Sequence, residues 1–295
     1  MTTINARIAE GRHRLLGAGI DHEESALDAR LLAQAVLGWD TARILTSGDE
    51  LEPSPFAAQY EELISRRAHR EPLSYITGTR EFWNLSIEVS PAVLIPRPET
   101  EGLVEAVNEL FQDHQAALRI ADVCTGSGCV AVAIASERPN VRVIATDDSA
   151  AALEIARRNT VRHAVIDRVQ CVRGDLLKPL SGTFDVIVAN PPYVPSGARA
   201  GLQPEVRDFE PAIALFAGAD GLDMIRRLVG ESAVHLTPTG YLMFEFGDGQ
   251  ETAVRELISA SDRLRMVDVK RDLQGIARIA ISSQKRRSET RRSKV

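Results

Sequence analysis

The stretch Phe184-Asp-Val-Ile-Val-Ala-Asn-Pro-Pro-Tyr193 determines how the rest of this chain can be interpreted. Its first part, Phe184–Ala189, is a short apolar run rich in β-branched residues, which is typical of a strand buried on both faces. The strand must end at Asn190, because Pro191 and Pro192 have no backbone N–H to donate to a sheet. The sequence therefore predicts a stiff, amide-bearing corner at the carboxyl end of a central strand, where open α/β sheets place their ligands.

Apolar runs alternate with helical stretches on both sides of this strand, which is the pattern of a mostly parallel sheet in an α/β domain. The predicted strands are Leu118–Val123, Val141–Thr146, Val169–Arg173, Phe184–Ala189, Tyr241–Phe246, Met266–Val269 and Ala277–Ile281. The predicted helices of this part are Val130–Glu137, Ser149–Arg162, Leu222–Leu236 and Glu251–Ala260. A short segment containing Gly275 separates the last two strands, so we expect them to form an antiparallel hairpin.

The composition of the chain changes along its length and predicts four segments. Residues 1–74 have apolar residues at helical spacing and predict a helical bundle, which could equally be a partner-recognition module. Residues 75–98 alternate apolar and polar side chains around Asn84 and predict a β-hairpin that links two domains. Residues 99–283 form the predicted α/β domain, and 284–295 form a basic tail that we expect to be disordered.

Charge and cysteine content restrict the function classes. The 295 residues carry a formal net charge of −6, which gives no global signal for nucleic acid, and no direct nucleic-acid partner is expected. The three cysteines match no zinc spacing, and so sparse a set predicts a reducing compartment and no metal. No apolar signal region or membrane-spanning run is found, so we predict a cytoplasmic protein without a membrane partner.

A glycine turn, Asp122-Val-Cys-Thr-Gly-Ser-Gly128, follows one predicted strand and opens a helix. Gly126 and Gly128 allow a sharp turn and a close approach of a ligand to the backbone. Asp147 ends the next predicted strand, where a carboxylate can accept hydrogen bonds from ribose hydroxyls. A plain turn, with Asp147 capping the following helix, is the simpler interpretation. Strand, helix and acidic residue together favour a nucleoside-containing cofactor.

The glycine turn leaves two cofactors open. Gly126-x-Gly128-x-x-Ala131 matches the dinucleotide fingerprint, and a diphosphate would then lie at the helix N-terminus, as in NAD binding. S-adenosylmethionine contains ribose and adenine but no phosphate, so it requires only the turn and the acidic residue. The glycine turn alone does not distinguish the two.

The Asn190–Tyr193 corner favours methyl transfer, because it offers groups that can orient the nitrogen of an amide or an aromatic amine as the methyl acceptor, which a hydride transfer does not need. The lone pair of such a nitrogen is delocalised, and two oxygen acceptors on its N–H groups can orient it as positive charge develops. The Asn190 side-chain oxygen and the Pro191 carbonyl are suited to this role, and Tyr193 can pack on the planar group. The chemistry is positioning and electrostatic stabilisation, and it requires no general base.

At these residues the sequence resembles a known family. Asn190-Pro-Pro-Tyr193 is the signature shared by adenine-N6 and glutamine-N5 methyltransferases, and further stretches narrow the resemblance to release factor glutamine methyltransferases of the PrmC/HemK type. Those stretches are Glu71-Pro-Leu-Ser-Tyr-Ile-Thr-Gly78, Leu94-Ile-Pro-Arg-Pro-Glu-Thr-Glu101, and Glu210-Pro211 through Gly221-Leu-Asp223. The resemblance runs from about residue 10 to residue 282.

The resemblance implies a fold and a reaction. The fold is a Rossmann-like, seven-stranded methyltransferase domain with an N-terminal helical bundle for substrate recognition and a β-hairpin linker. In the reaction, S-adenosylmethionine methylates the side-chain amide of the glutamine in the Gly-Gly-Gln motif of peptide chain release factors and becomes S-adenosylhomocysteine. An adenine-N6 methyltransferase acting on DNA or RNA is the alternative that shares the tetrapeptide, and a non-catalytic cofactor-binding module is a third hypothesis.

The site residues that the resemblance implies fall into two groups. The expected cofactor-binding residues are Cys124, Thr125, Gly126, Ser127, Gly128, Asp147, Asp175, Leu176 and Asn190. The expected catalytic residues are Asn190, Pro191, Pro192 and Tyr193. One departure concerns Cys124, because the family usually has glycine there. A side chain could crowd the methionine part of the cofactor, but we expect it to be tolerated because the sharp turn depends more on Gly126 and Gly128.

Overall fold

The structure is a computed structural model that describes residues 2–285, which divide into two compact units. One unit comprises 2–79 and Gln203–Phe209, and the other comprises Arg80–Leu202 and 210–285. The helices are α1 Ile4–Gly17, α2 His22–Leu37, α3 Thr41–Ser47, α4 Phe56–Ala68, α5 Leu73–Thr77, α6 Glu101–Leu110, α7 Cys129–Glu137, α8 Ala150–Arg162, α9 Pro204–Phe209, α10 Asp223–Ser232 and α11 Glu251–Ala260. The strands are β1 Thr79–Phe82, β2 Leu85–Glu88, β3 Arg119–Val123, β4 Arg142–Asp147, β5 Val169–Arg173, β6 Phe184–Ala189, β7 Leu236–Glu245, β8 Leu264–Arg271 and β9 Ala277–Gln284.

The first unit is helical, as predicted for the N-terminal segment. α1, α2 and α4 pack around an apolar core in which the hydroxyl of Tyr60 donates a 3.0 Å hydrogen bond to the carbonyl of Ala29. Arg67, 1% exposed, donates to the carboxylates of Asp28 (2.6 Å) and Glu205 (2.9 Å). Because a buried charge without partners is strongly destabilising, this network fixes α9 on the helical unit through Glu205.

The predicted β-hairpin is present as the antiparallel pair of β1 and β2. Trp83 and Asn84 connect the strands and both have positive φ, +52° and +57°. A two-residue turn with two left-handed residues matches the right-handed twist of the flanking strands. The Trp83 N–H donates to the Glu101 carboxylate at 2.8 Å, which ties the turn to the start of α6.

The second unit is built on a seven-stranded sheet in the order β5-β4-β3-β6-β7-β9-β8. The first five strands in this order are parallel, whereas β9 is antiparallel to both β7 and β8. The chain proceeds outward from β3 in one direction and from β6 in the other. The prediction of a Rossmann-like, seven-stranded α/β fold is therefore confirmed, and its topological switch point lies between β3 and β6.

The two largest differences between predicted and observed boundaries in this unit lie at the end of α10 and the start of β7. β7 begins at Leu236, five residues before the predicted start, and α10 ends at Ser232. The register shifts between Phe184 and Val186 on β6, and this irregularity accommodates Pro238 and Gly240 of β7, which look like a turn in the sequence. A Cβ at Gly240 would lie 2.9 Å from the Phe184 carbonyl oxygen, which explains the glycine.

The carboxyl end of the described chain also differs slightly from the prediction. β9 extends to Gln284, the first residue of the predicted basic tail, and the Gln284 amide donates to the carbonyls of Ala233 and Leu236 at 2.8 Å. The remainder of that tail, 286–295, lies outside the described residues. Within 2–285, each helix is too short or too polar to cross a bilayer.

Candidate active site

A cavity of about 380 Å³ lies at the carboxyl ends of β3, β4, β5 and β6. The predicted site residues that line it are Cys124, Thr125, Gly126, Ser127, Asp147, Asp175, Leu176, Asn190 and Pro192. Gly128, Pro191 and Tyr193 are near these residues in sequence but are not lining residues. The structure thus brings most of the predicted cofactor-binding residues to one cavity with two members of the Asn190–Tyr193 corner.

The turn after β3 requires a left-handed residue at its first position. Cys124 has φ +59°, a conformation that costs an L side chain roughly 1 to 2 kcal/mol. This backbone geometry explains why glycine is expected there. Gly128 has φ +79° and, in addition, a Cβ at that position would lie 3.1 Å from the Cβ of Ala156 on α8. Gly128 therefore permits close helix packing behind the cavity.

Asp122, which the sequence analysis did not select, lies at the base of the cavity and is 2% exposed. Its Oδ2 accepts hydrogen bonds from the Thr125 hydroxyl (2.5 Å) and the Ala131 N–H (3.2 Å). Burial raises the pKa of Asp122 to about 7. Asp122 lies at the end of a predicted strand, directly before a glycine turn, and this position could have identified it as a site residue from the sequence.

The Asp147 carboxylate binds two backbone segments that flank the cavity, one at Gly126 and one at Ser149. Its Oδ2 accepts from the Gly126 N–H and its Oδ1 from the Ser149 N–H, both at 2.9 Å. Burial raises the pKa of Asp147, and the two backbone donors oppose that shift. Each carboxylate oxygen can accept more than one hydrogen bond, so Asp147 can hold the N–H of Ser149, the N-cap residue of α8, and still accept from a ligand hydroxyl.

The wall after β5 combines charged and apolar groups. The Lys178 ammonium and the Arg227 guanidinium, at 2.6 and 2.7 Å, hold the pKa of Asp175 below its usual range. Leu176 is buried with φ +52°, and its carbonyl accepts a hydrogen bond from the Thr146 hydroxyl at 3.1 Å. Arg227 lines the cavity from α10 and was not predicted.

The Asn190 corner is supported by a buried chain of hydrogen bonds. Asn190 Nδ2 donates to the Thr100 hydroxyl at 3.0 Å, and Thr100 donates to Glu245 Oε2 at 2.7 Å. The Tyr193 hydroxyl donates to Glu245 Oε1 at 2.8 Å. Glu245 is 1% exposed, and burial raises its pKa against the effect of the two hydroxyl donors. Thr100 and Glu245 are far from the corner in sequence, and the sequence analysis did not find them.

The backbone of the same corner is held by Gln250, which precedes α11. Its Nε2 donates to the carbonyls of Tyr193 (3.0 Å) and Asp220 (3.1 Å), and its Oε1 accepts from the Gly247 N–H at 2.8 Å. Gly221 approaches Tyr193 so closely that an added Cβ would lie 2.1 Å from the Tyr193 carbonyl oxygen. The corner is thus fixed from both its side-chain and its backbone side.

A further wall comes from the segment before α6 and the segment after α9. Glu210 has a side chain only 1% exposed, and its carboxylate accepts hydrogen bonds from the Arg97 guanidinium and from the Ile95 N–H (3.3 Å). Burial raises the pKa of Glu210, and Arg97 opposes that shift. Pro211 follows directly and lines the cavity. This ion pair explains why two of the quoted stretches, far apart in sequence, contribute to one site.

The cysteines of the described residues are free thiols. Burial raises the pKa of Cys129 to about 12 and of Cys171 to about 11. Residues 2–285 contain no group of three histidine, cysteine or acidic side chains placed to hold a metal ion.

Comparison with known proteins covers both units. The family model described as the PrmC N-terminal domain matches residues 7–78, and the one described as the methyltransferase small domain matches residues 100–202. A release factor glutamine methyltransferase from Bradyrhizobium diazoefficiens is 41% identical over 265 residues, which span 89% of each chain. The protein of the same name from Mycolicibacterium smegmatis is 39% identical over 291 residues, spanning 98% of this chain and 100% of the relative.

A solved structure of a methyltransferase from Pyrococcus furiosus has a similar fold. Its TM-score is 0.51 at 22% identity, over 74% of this chain and 97% of that one. At this level of identity the likeness concerns the fold alone.

Proposed function

The chain belongs to the family of release factor glutamine methyltransferases, and we propose that it transfers a methyl group from S-adenosylmethionine to the side-chain amide nitrogen of glutamine in the Gly-Gly-Gln motif of peptide chain release factors. The observation that carries this proposal is the orientation of the Asn190 amide. Its Nδ2 donates to Thr100, so Oδ1 is the atom left to accept from an incoming N–H. A primary amide offers two such N–H groups.

The residues of the cavity fit the proposed cofactor. When bound, S-adenosylmethionine supplies a methyl group activated by a sulfonium. Asp147 is the proposed acceptor of hydrogen bonds from ribose hydroxyls, and Asp175 and Leu176 are the proposed adenine-side residues; all three line the cavity. A carboxylate at Asp147 in the cavity lining would suit a positively charged sulfonium. The proposed binding set is therefore the turn Cys124–Gly128 with these acidic side chains.

In the proposed reaction the amide nitrogen would gain the methyl group as the bond between that group and sulfur breaks, and the positively charged nitrogen would then release one proton to water. Asn190 Oδ1 and the Pro191 carbonyl are the proposed acceptors for the two amide hydrogens, which orients the nitrogen lone pair toward the methyl group. Both groups lie on a corner whose backbone the prolines make rigid. This is transition-state stabilisation by preorganised dipoles, and an interaction of this kind is typically worth about 100- to 1,000-fold in rate.

The substrate is tested by labelling. The chain is incubated with S-adenosylmethionine carrying a labelled methyl group and with a release factor whose Gly-Gly-Gln glutamine is intact or replaced by alanine. We expect label only on the intact factor, and mass spectrometry should locate the methyl group on that glutamine. Equal labelling of both factors would overturn the proposal.

A parallel reaction with adenine-containing DNA and RNA tests the alternative substrate class. Methylation of adenine there, with an unlabelled release factor, would replace the proposed function by adenine-N6 methylation. The formal net charge of −6 favours the protein substrate, because nucleic-acid binding relies on basic surfaces. We further propose a cytoplasmic reaction, which fits the three free thiols.

A further inference from the structure

Resting on the proposed function, we infer that Thr100 and Glu245 are positioning residues that fix which end of the Asn190 amide faces the acceptor. The backbone of the corner is held by Pro191, Pro192 and the Gln250 contact to Tyr193. The role of Thr100 and Glu245 is to set the direction of hydrogen bonding. That direction decides whether the cavity presents an acceptor or a donor at the corner.

The geometry leaves few alternatives for these groups. Thr100 is 2% exposed and Glu245 is 1% exposed, so water cannot easily substitute for either partner. Both Glu245 oxygens already accept from hydroxyls, one on Thr100 and one on Tyr193. The charged groups that face Glu245 from the neighbouring elements are Glu99 and Arg278.

The donor count then fixes the amide. An ionised glutamate carboxylate can only accept, so with Glu245 ionised the single hydroxyl hydrogen of Thr100 is used for Glu245. The Thr100 oxygen can then only accept from Asn190, which must offer its Nδ2. Asn190 Oδ1 is consequently the free end. If the residue at 245 could donate, Thr100 could donate to Asn190 instead, and the amide would turn its NH₂ toward the acceptor.

This direction also determines which side chain the site accepts. With Oδ1 outward, a glutamine amide meets the site with its N–H groups, whereas a glutamate carboxylate would bring its oxygens against another oxygen acceptor. A reversed Asn190 would favour the carboxylate. A site built to bond a substrate N–H rejects an analogue without it strongly, because its own polar groups are left unpaired.

The test compares four variants by methylation kinetics. Thr100→Val and Glu245→Gln should each lower kcat by about 10- to 100-fold, with the Kd of S-adenosylmethionine unchanged by calorimetry. Thr100→Ser keeps the hydroxyl and should stay within about threefold of the parent kcat, which a purely steric role for Thr100 would not predict. Thr160→Val is the matched control, since Thr160 is equally buried but donates to the Arg157 carbonyl on α8. It should leave kcat unchanged.

Thr100→Val against Thr100→Ser is the decisive comparison, because the valine variant removes the hydroxyl and the serine variant keeps it. A folded Thr100→Val protein with the parent kcat would overturn the inference, as would equal losses in Thr100→Ser and Thr100→Val. If Thr100→Val does not fold, Glu245→Gln serves together with the exchange measurement on the Asn190 amide: loss of Nδ2 protection at the parent kcat would overturn the inference.

A second measurement separates this inference from the proposed function. In protein with ¹⁵N-labelled asparagine, NMR hydrogen exchange should show one protected Asn190 Nδ2 hydrogen, and that protection should be lost in Thr100→Val. If the parent protein fails to methylate a release factor but shows this protection, the proposed function fails and the amide orientation stands. Absence of protection in the parent protein would overturn the orientation itself.

Discussion

Gly221→Ala tests whether the Tyr193 backbone is held by close approach. Gly221 has φ +77°, and an added Cβ would lie 2.1 Å from the Tyr193 carbonyl oxygen and 2.8 Å from the Gln250 amide nitrogen. The flexible end of the Gln250 side chain could move away. The Tyr193 carbonyl oxygen belongs to the backbone, so it could move only if the whole corner shifted. The substitution therefore displaces the segment that carries the proposed acceptor contacts.

The magnitude has two parts. A left-handed alanine costs about 1 to 2 kcal/mol, and overpacking of this kind costs about 1 to 3 kcal/mol more, so the total is roughly 2 to 5 kcal/mol. Gly275→Ala is the matched control, since Gly275 has φ +82° with no atom within 4 Å of an added Cβ. It should lose only the first part.

Urea unfolding of the two variants in parallel measures these losses, and single-turnover methylation measures the effect on the reaction. A displacement of about 1 Å at the corner should lower the rate about 100-fold in Gly221→Ala, while Gly275→Ala keeps the parent rate. Equal destabilisation of the two variants, or an unchanged rate in Gly221→Ala, would refute the idea that close packing on Tyr193 positions the corner.

Three further predictions concern the cavity itself. The free energy of unfolding of Asp122→Asn should rise relative to the parent by roughly 1.4 kcal/mol per pH unit between pH 5 and 7. The reason is that the pKa of Asp122 is raised in the folded state, so the parent protein loses stability as the pH rises through that pKa. Urea unfolding of both proteins across this pH range measures the difference. Cys124→Gly should stabilise the chain by about 1 kcal/mol by relieving the left-handed cysteine, and a lower urea midpoint would contradict this. Asn190→Ala should lower turnover by about 100-fold or more with little change in cofactor affinity, whereas Asp147→Ala should mainly raise the cofactor Kd; calorimetry and single-turnover rates would show the reverse pattern if these roles are misassigned.

The fold was largely accessible from the sequence, because its signals are local. β6 has the predicted bounds, because its apolar β-branched run and the two prolines that follow it mark the strand directly. The start of β7 was wrong because Pro238 and Gly240 are turn signals in sequence, and only pairing with β6 makes that segment a strand. The local sequence pattern thus predicted which segments form strands and helices, whereas the start of β7 depends on its pairing with β6.

The site was accessible only where its residues follow strands. The turn after β3 and the corner after β6 could be placed because the ends of parallel strands meet at one edge of the sheet. Thr100 and Glu245 lie on elements far apart in sequence, and a buried hydrogen bond between them leaves no periodic pattern. The cysteine at position 124 does not itself predict a left-handed backbone. Only the expectation of glycine at that position indicated the positive φ.

The distance between the proposed cofactor turn and the acceptor corner is set by the sheet itself. Val123 pairs with Ala189 in the parallel ladder of β3 and β6, and Cys124 and Asn190 directly follow those two residues. Neighbouring strands lie about 4.8 Å apart, so both reacting partners are positioned from one rigid backbone ladder. In-line methyl transfer depends on that spacing. Substitutions in the surrounding walls, such as Arg97 or Arg227, should therefore change binding, whereas the spacing between donor and acceptor changes when the ends of these two strands are disturbed, either directly or through a residue packed on them such as Gly221.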